Sequence, residues 1–303
     1  MRREARLRLP TVPLIHEWNV APTAGDARWR RQPAAVGVGP WLQQVAVWSH
    51  VAGSPLQLVT WHGANGEPER SIVVESSLAG LGFIQPVADG GVLLVSVRRP
   101  RDAAISAQRW SSRGDLVAEA DLGDAIEHVL ATDSGAVWVG YFDEALTGRA
   151  PEGHGLVRFG ADLQPEWLYP WNTDLPSVDD CESMNVVGET VYACPYLDHH
   201  VVRVDGGEVT DLGPAPHRGG QALLIEGDRG LLIGGYGADH DLMTPFEFTA
   251  NGPMRVGSQG RVVMPDGLEA RSRSWICRGG QAWTQVDNNR FRLGLSRVFD
   301  TLC

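Results

Sequence analysis

His128 and Glu182 are the two side chains of this chain best suited to acid/base work. An imidazole titrates near neutrality, and a carboxylate beside it holds it near a useful pKa, so the pair would carry proton transfer of the lyase, isomerase, cyclase or hydrolase kind. Asp180 lies two residues before Glu182, the spacing that puts both carboxylates on one face of an extended strand. Arg271 and Arg273 share that spacing and offer planar donors for a carboxylate or phosphate, with Gln221 as a further substrate contact. A small anionic molecule is therefore the expected ligand. A second reading stays open, in which Asp180, Glu182, Arg271 and Arg273 neutralise one another as a structural ion-pair network.

A further polar set follows a different group of strands: Asp143-Glu144, Asp198-His199, Asp239-His240-Asp241 and Asp287-Asn288, with His154. Carboxylate oxygen and imidazole are ligand types for calcium, magnesium or a harder transition metal, and Asp198, His199, Asp239 and His240 are the expected ligands of a divalent ion. Asp and Asn are also ordinary turn formers, and no metal-binding spacing motif joins these residues. The acid/base reading itself requires no cofactor.

These residues are positioned by a repeated grammar of turn and strand. Asp133-Ser134-Gly135 is a tight turn between Ala125 to Ala131 and the β-rich run Ala136 to Phe142. Ala88-Asp89-Gly90-Gly91, Val187-Gly188-Glu189, Gly227-Asp228-Arg229-Gly230 and Arg278-Gly279-Gly280 precede comparable runs. The turns recur about every 40 to 50 residues, the period of four-stranded propeller blades. A second turn fits the frame at Ala64-Asn65-Gly66, Arg113-Gly114-Asp115, Gly160-Ala161-Asp162, Asp205-Gly206-Gly207 and Asn251-Gly252. Counted back from the first set of turns, Gly82 and Ile84, Ile126 and His128, Asp180 and Glu182, Gln221 and Leu223, and Arg271 and Arg273 are equivalent positions on the first strands. In a propeller these converge on one mouth with the loops between second and third strands.

The frame predicts an all-β, six-bladed propeller in a single domain of residues 1–303, with blades near 30–80, 81–123, 124–177, 178–217, 218–265 and 266–298. The last blade, with strands at Arg271 to Cys277, Ala282 to Val286 and Phe291 to Val298, lacks one strand. The N-terminal segment is expected to supply it and so remove an exposed edge. The chain resembles six-bladed propellers of the NHL-type, gluconolactonase-like and strictosidine-synthase-like kinds. The resemblance is architectural and implies only the fold.

The balance of 37 acidic against 26 basic residues, net −11, excludes a phosphate-backbone partner of the ordinary basic-footprint kind. No apolar run has the length of a membrane span and no signal-type h-region follows the N-terminus, so a soluble, cytoplasmic protein is expected. Cys181, Cys194, Cys277 and Cys303 form no paired motif and read as free thiols. Trp48, Trp61, Trp110, Trp138 and Trp283 recur on second and third strands as packing residues, and Trp167, Tyr169 and Trp171 read as an outer strand packed on its neighbour. The alternative function is a non-enzymatic scaffold presenting Glu144 to Gly153 and Gly237 to Thr244 to another protein.

Overall fold

The computed structural model describes residues 8–22, 26–99, 104–147, 151–171, 173–270 and 274–303. Two short strands open it, β1 (Thr11–Pro13) and β2 (Ile15–Asn19). The rest of the chain falls into two compact units.

One unit comprises residues 18–172 and 178–181. Its strands form three antiparallel sheets of four, each a meander in which consecutive strands pair. The first holds β3 (Ala35–Val38), β4 (Gln44–Ser49), β5 (Leu56–His62) and β6 (Pro68–Glu75). The second holds β7 (Leu81–Pro86), β8 (Val92–Ser96), β9 (Ala107–Trp110) and β10 (Leu116–Ala120). The third holds β11 (Ile126–Ala131), β12 (Val137–Tyr141), β13 (Leu156–Phe159) and β14 (Pro165–Leu168). The Asp133-Ser134-Gly135 turn needs its glycine, because that residue takes a φ of 88°.

Every residue of β8 and of β12 is buried. Because successive side chains of a strand point to opposite faces, burial of all of them requires both faces to be covered. The neighbouring sheets cover them: Val92 and Leu94 join Val45, Val47 and Val59 in one core, whereas Leu93 and Val95 join Val129, Val137 and Val139 in another. Four-stranded meanders stacked face to face, with the cores between them, make this a β-propeller architecture.

The tryptophans serve this packing. Trp48, Trp110 and Trp138 are buried, and the Trp48 indole N–H donates to Thr60 Oγ1 at 2.9 Å. Trp61 is half-buried beneath the Arg70 guanidinium. In the aromatic stretch, Trp167 packs edge-on against Trp138 and Tyr169 is buried. Trp171 departs from the expectation: it is exposed and stacks on His154 at 4.3 Å.

The other unit comprises residues 1–17, 173–177 and 182–303. It contains β15 (Ser183–Val187), β16 (Thr190–Cys194), β17 (His200–Asp205), β18 (Glu208–Pro214), β19 (Ala222–Glu226), β20 (Arg229–Ile233), β21 (Leu242–Thr249), β22 (Gly252–Arg255), β23 (Gly260–Val263), β24 (Trp275–Arg278), β25 (Gln281–Val286) and β26 (Asn289–Gly294). One sheet runs β18-β17-β16-β15-β24-β25-β26-β2, and a second runs β1-β23-β21-β20-β19 with β22 beside β21. The eight-stranded sheet is two antiparallel meanders that meet at one parallel bridge, Val186 to Arg278.

The first strands β15, β19 and β24 are mutual neighbours. Buried Asn185 joins them: its Nδ2 donates to the carbonyls of Leu223 at 2.7 Å and Gly279 at 2.8 Å, and its Oδ1 accepts the Gly279 N–H at 2.8 Å. An amide is the side chain that can satisfy two carbonyls and an N–H together.

The N-terminal residues are held twice in this unit. Strand β1 runs parallel to β23, from Thr11 opposite Arg261 to Pro13 opposite Val263. Strand β2 lies beside β26, where Glu17 accepts the Trp283 indole N–H at 3.1 Å and the Arg292 Nε–H at 2.8 Å. Val12 and Leu14 are buried in a core with Trp275, Leu293 and Phe299.

The C-terminus corrects the sequence expectation of a strand from Phe291 to Val298. Strand β26 stops at Gly294 and helix α1 (Leu295–Leu302) follows. Its Leu295, Val298, Phe299 and Leu302 stand at helical spacing and are the buried residues of the helix. Phe and Val in so short a segment favour the strand reading until that spacing is given weight. The thiols of Cys181, Cys194 and Cys277 are buried, and that of Cys303 is exposed.

Candidate functional site

In the second unit, Glu182 directly precedes β15, the first strand of its repeat. The next loop, between β16 and β17, brings His199 to it: Nδ1 of His199 lies 3.4 Å from Oε2 of Glu182, and both side chains are largely buried. The pair is out of line for a hydrogen bond, so both atoms are buried without one. The loop reaches this geometry through two non-glycine residues in the left-handed region, Leu197 at φ 76° and His199 at φ 50°. Such a backbone costs of order 1 kcal/mol per residue and collects where a side chain must be aimed.

The loop after β20 completes the arrangement. Tyr236 donates its hydroxyl to Glu182 Oε1 at 2.5 Å. Gly234 and Gly235 carry the chain there at φ 109° and 159°, and a Cβ on Gly234 would lie 2.8 Å from the Gln221 backbone nitrogen. Beneath this loop His217 Nε2 meets the Gly234 carbonyl at 2.8 Å. A carbonyl only accepts, so Nε2 carries the proton and Nδ1 presents a lone pair. That Nδ1 and the Gln221 Oε1 are likewise buried without a hydrogen-bond partner.

Burial pushes the Glu182 carboxyl above its ordinary value, against the smaller opposing effects of the Tyr236 hydroxyl and of His199. Burial lowers His217, opposed by the Gly234 carbonyl and the Asp239 charge, and so favours the neutral ring. The Cys194 thiol is pushed up to about 12, by burial first and then by Glu182, which makes it inert as a nucleophile. The rim is aromatic. Tyr196 and Tyr236 are exposed, with their rings 6.5 Å apart and nearly perpendicular.

The sequence-predicted residues distribute as follows. Glu182, His199 and Gln221 fall in this group, His199 facing a carboxylate rather than serving as an expected metal ligand. His128 and Asp180 belong to the first unit. His128 stands opposite Gly140 next to a register shift of β11, and Asp180 precedes Cys181, whose N–H bonds the Tyr141 carbonyl at 2.8 Å. Arg271 and Arg273 lie outside the described residues.

The four expected metal ligands do not assemble. Asp198 Oδ2 accepts the Ser177 N–H at 3.3 Å, and Asp239 closes the 3-10 turn Gly237–Asp239. Among the described residues, the grouping with ligand atoms within 4.8 Å of one another is instead His240, Asp241 and Glu269. Tyr196, Tyr236 and His217 went unassigned by sequence reasoning. A signal was present for the tyrosines, which stand two and three residues past the ends of β16 and β20, in equivalent loops of successive repeats.

No family profile matches the chain, and no curated protein is significantly similar to it. Among solved structures, a gluconolactonase from Xanthomonas campestris aligns at 13% identity over 93% of this chain and 89% of its own, with a TM-score of 0.48. BamB from Moraxella catarrhalis aligns at 15% identity over 94% and 97%, with a TM-score of 0.49. The propeller class rests on the sheets themselves. No helix among the described residues is long and apolar enough to cross a membrane.

Proposed function

We propose that the chain is a six-bladed propeller that binds a small molecule at Glu182, His199, Tyr236, His217 and Gln221 and acts on it by proton transfer. Six repeats are counted from the three four-stranded sheets, the two meanders of the eight-stranded sheet, and the sheet from β19 to β23. The place of β2 beside β26 supports a ring whose last blade the N-terminal strand completes.

One observation carries the functional reading. His217 Nδ1 and Gln221 Oε1 are acceptors, and Glu182 Oε2 a carboxyl oxygen, all buried without a hydrogen-bond partner, a costly state in an ordinary core and a useful one in a site that a ligand fills. They call for a ligand rich in hydroxyl or ammonium donors, with a ring or chain that can lie against Tyr196 and Tyr236. An anionic substrate rested on Arg271 and Arg273, and the described group gives it no support. Glu182 is the acid or base: burial favours its protonated form, and it exchanges a proton with a substrate oxygen beside His199. The exposed Tyr196, Leu197 and Tyr236 also favour the scaffold reading, since apolar rims of this kind receive protein partners.

A melting-temperature panel of neutral polyols, amino polyols and small carboxylates separates these readings. The expected result is that at least one hydroxylated compound raises the melting temperature of the wild type but not that of Tyr236→Ala. Glu182→Gln should bind that compound and turn none of it over. If only carboxylates bind, or nothing does, the reading fails.

A further inference from the structure

Independent of this group, His240, Asp241 and Glu269 bring their ligand atoms within 4.8 Å of one another in the second unit. Asp241 precedes β21; its carbonyl accepts the Val262 N–H of β23 at 2.9 Å, and its side chain is fully buried. Glu269 pairs through its backbone with Val263 of the same strand. His240 follows the 3-10 turn and holds the Gly237 carbonyl at 3.1 Å through Nδ1. Three ligand-type side chains are thus mounted on one pair of strands.

The tautomer follows from that bond. The Gly237 carbonyl can only accept, so Nδ1 carries the proton, and in the neutral ring Nε2 is a lone pair. This Nε2 lies 3.2 Å from Glu269 Oε1, is buried, and makes no hydrogen bond. A lone pair and a carboxylate oxygen set that close, with the Asp241 carboxylate in the same group, are placed as ligands that face a common ion. A second ring proton would be out of line with Oε1, since no hydrogen bond forms.

A metal ion fits the spacing. Bonds of about 2.0–2.2 Å to nitrogen and oxygen place two ligand atoms about 3.0 Å apart at a right angle and about 3.4 Å apart at the tetrahedral angle. The observed 3.2 Å lies between the two. An imidazole whose other nitrogen donates to a backbone carbonyl is also the usual outer support of a metal ligand. Arg261 plays the same part for Asp241, donating from Nε at 2.9 Å and Nη2 at 2.6 Å to Oδ2. Its positive charge lies against the Asp241 carboxylate and fixes its orientation.

We infer that His240 Nε2, Glu269 and Asp241 form a binding site for one divalent transition ion of the zinc class, one imidazole and two carboxylates leaving room for water or a further ligand. Borderline ions prefer such a mixed set, whereas calcium and magnesium prefer oxygen alone. The reading does not depend on Glu182 or on any substrate.

The test uses full-length protein without a histidine tag, stripped with chelator and titrated calorimetrically with Zn²⁺, with Co²⁺ as a spectroscopic probe. The expected result is about one Zn²⁺ per chain, cobalt d–d bands that disappear in His240→Ala, and affinity lower by about 100-fold or more in His240→Ala and Glu269→Gln. His200→Ala, a histidine paired with Asp211 elsewhere in the unit, should bind as the wild type does. Circular dichroism checks that each variant folds. Should His240→Ala misfold, Glu269→Asp retracts the oxygen while keeping the charge, and should weaken zinc on its own. Absence of stoichiometric binding, or equal binding by wild type, His240→Ala and Glu269→Gln, overturns the site.

Discussion

Replacing Glu17 by alanine tests what holds the N-terminal strand in place. Glu17 is the one carboxylate of β2, and it accepts from Trp283 on β25 and Arg292 on β26. The indole bond to a charged acceptor is worth about 1.5–3 kcal/mol, and its loss strands the donor of a buried side chain. The Arg292 bond counts for less, about 0.5–1 kcal/mol, because that side chain is a third exposed. Fully buried Arg290, whose guanidinium burial lowers to about 10, also loses the opposing charge of Glu17.

Together these losses come to about 3 kcal/mol, or roughly 4–6 °C of melting temperature for a chain of 303 residues. Scanning calorimetry of Glu17→Ala and Glu17→Gln measures it. The glutamine keeps an acceptor oxygen for one of the two donors and should lose about half as much. An alanine variant melting within about 1 °C of the wild type would refute the claim that this contact secures the strand. Deleting residues 1 to 20 should be more severe, since it bares the edges of both β26 and β23, and light scattering should then report aggregation.

Glu182→Gln probes the buried acid through stability. The folded-state pKa of Glu182 is raised, so above its ordinary value of 4.5 the native state holds a proton that the unfolded chain has released. That contribution is complete below the ordinary value and is lost as pH rises through the folded one. The wild type should therefore lose stability relative to Glu182→Gln as pH rises above 4.5, and melting curves that stay parallel from acid to neutral pH would contradict the assignment. Asn185→Ala strips partners from two carbonyls and one N–H and should cost about 3 kcal/mol in denaturant melts; a loss below 1 kcal/mol would mean that water replaces the amide. Leu197→Gly relieves a left-handed residue with an exposed side chain and should leave stability equal or raise it by up to about 1 kcal/mol, while loosening His199 and weakening any ligand.

The turns were legible in the sequence because their requirement is local. Gly135 at φ 88° depends on its own conformation, and the same holds for Gly90 and Gly114. From such turns, strand positions and the propeller architecture follow with little else. Helix α1 was not legible in the same way: its four apolar residues fit one helical face, and only the buried surface offered by β26 and its neighbours decides that they take it.

The site divides along the same line. Glu182 was visible as a polar residue at the place that His128 holds in the preceding repeat, and His199 as an expected metal ligand after a second strand; such positions locate the backbone and say nothing of where a side chain points. The aim of His199 is set by two left-handed residues, Leu197 and His199 itself, and neither identity announces that conformation as glycine does. Tyr236 was hidden by its type, since a tyrosine next to a strand reads as packing until its hydroxyl is found on a carboxylate. A repeat protein makes this separation sharp. Its strands must obey a common frame to stack, so they carry the pattern, whereas loops such as Tyr196–His199 and Gly234–Asp239 are released from it, and there the chemistry of one repeat departs from that of the next. The residues to watch in such a chain are therefore the polar ones at the first-strand starts, read together with whatever follows the second strand of the same and the next repeat. Glu182, His199 and Tyr236 meet in that way.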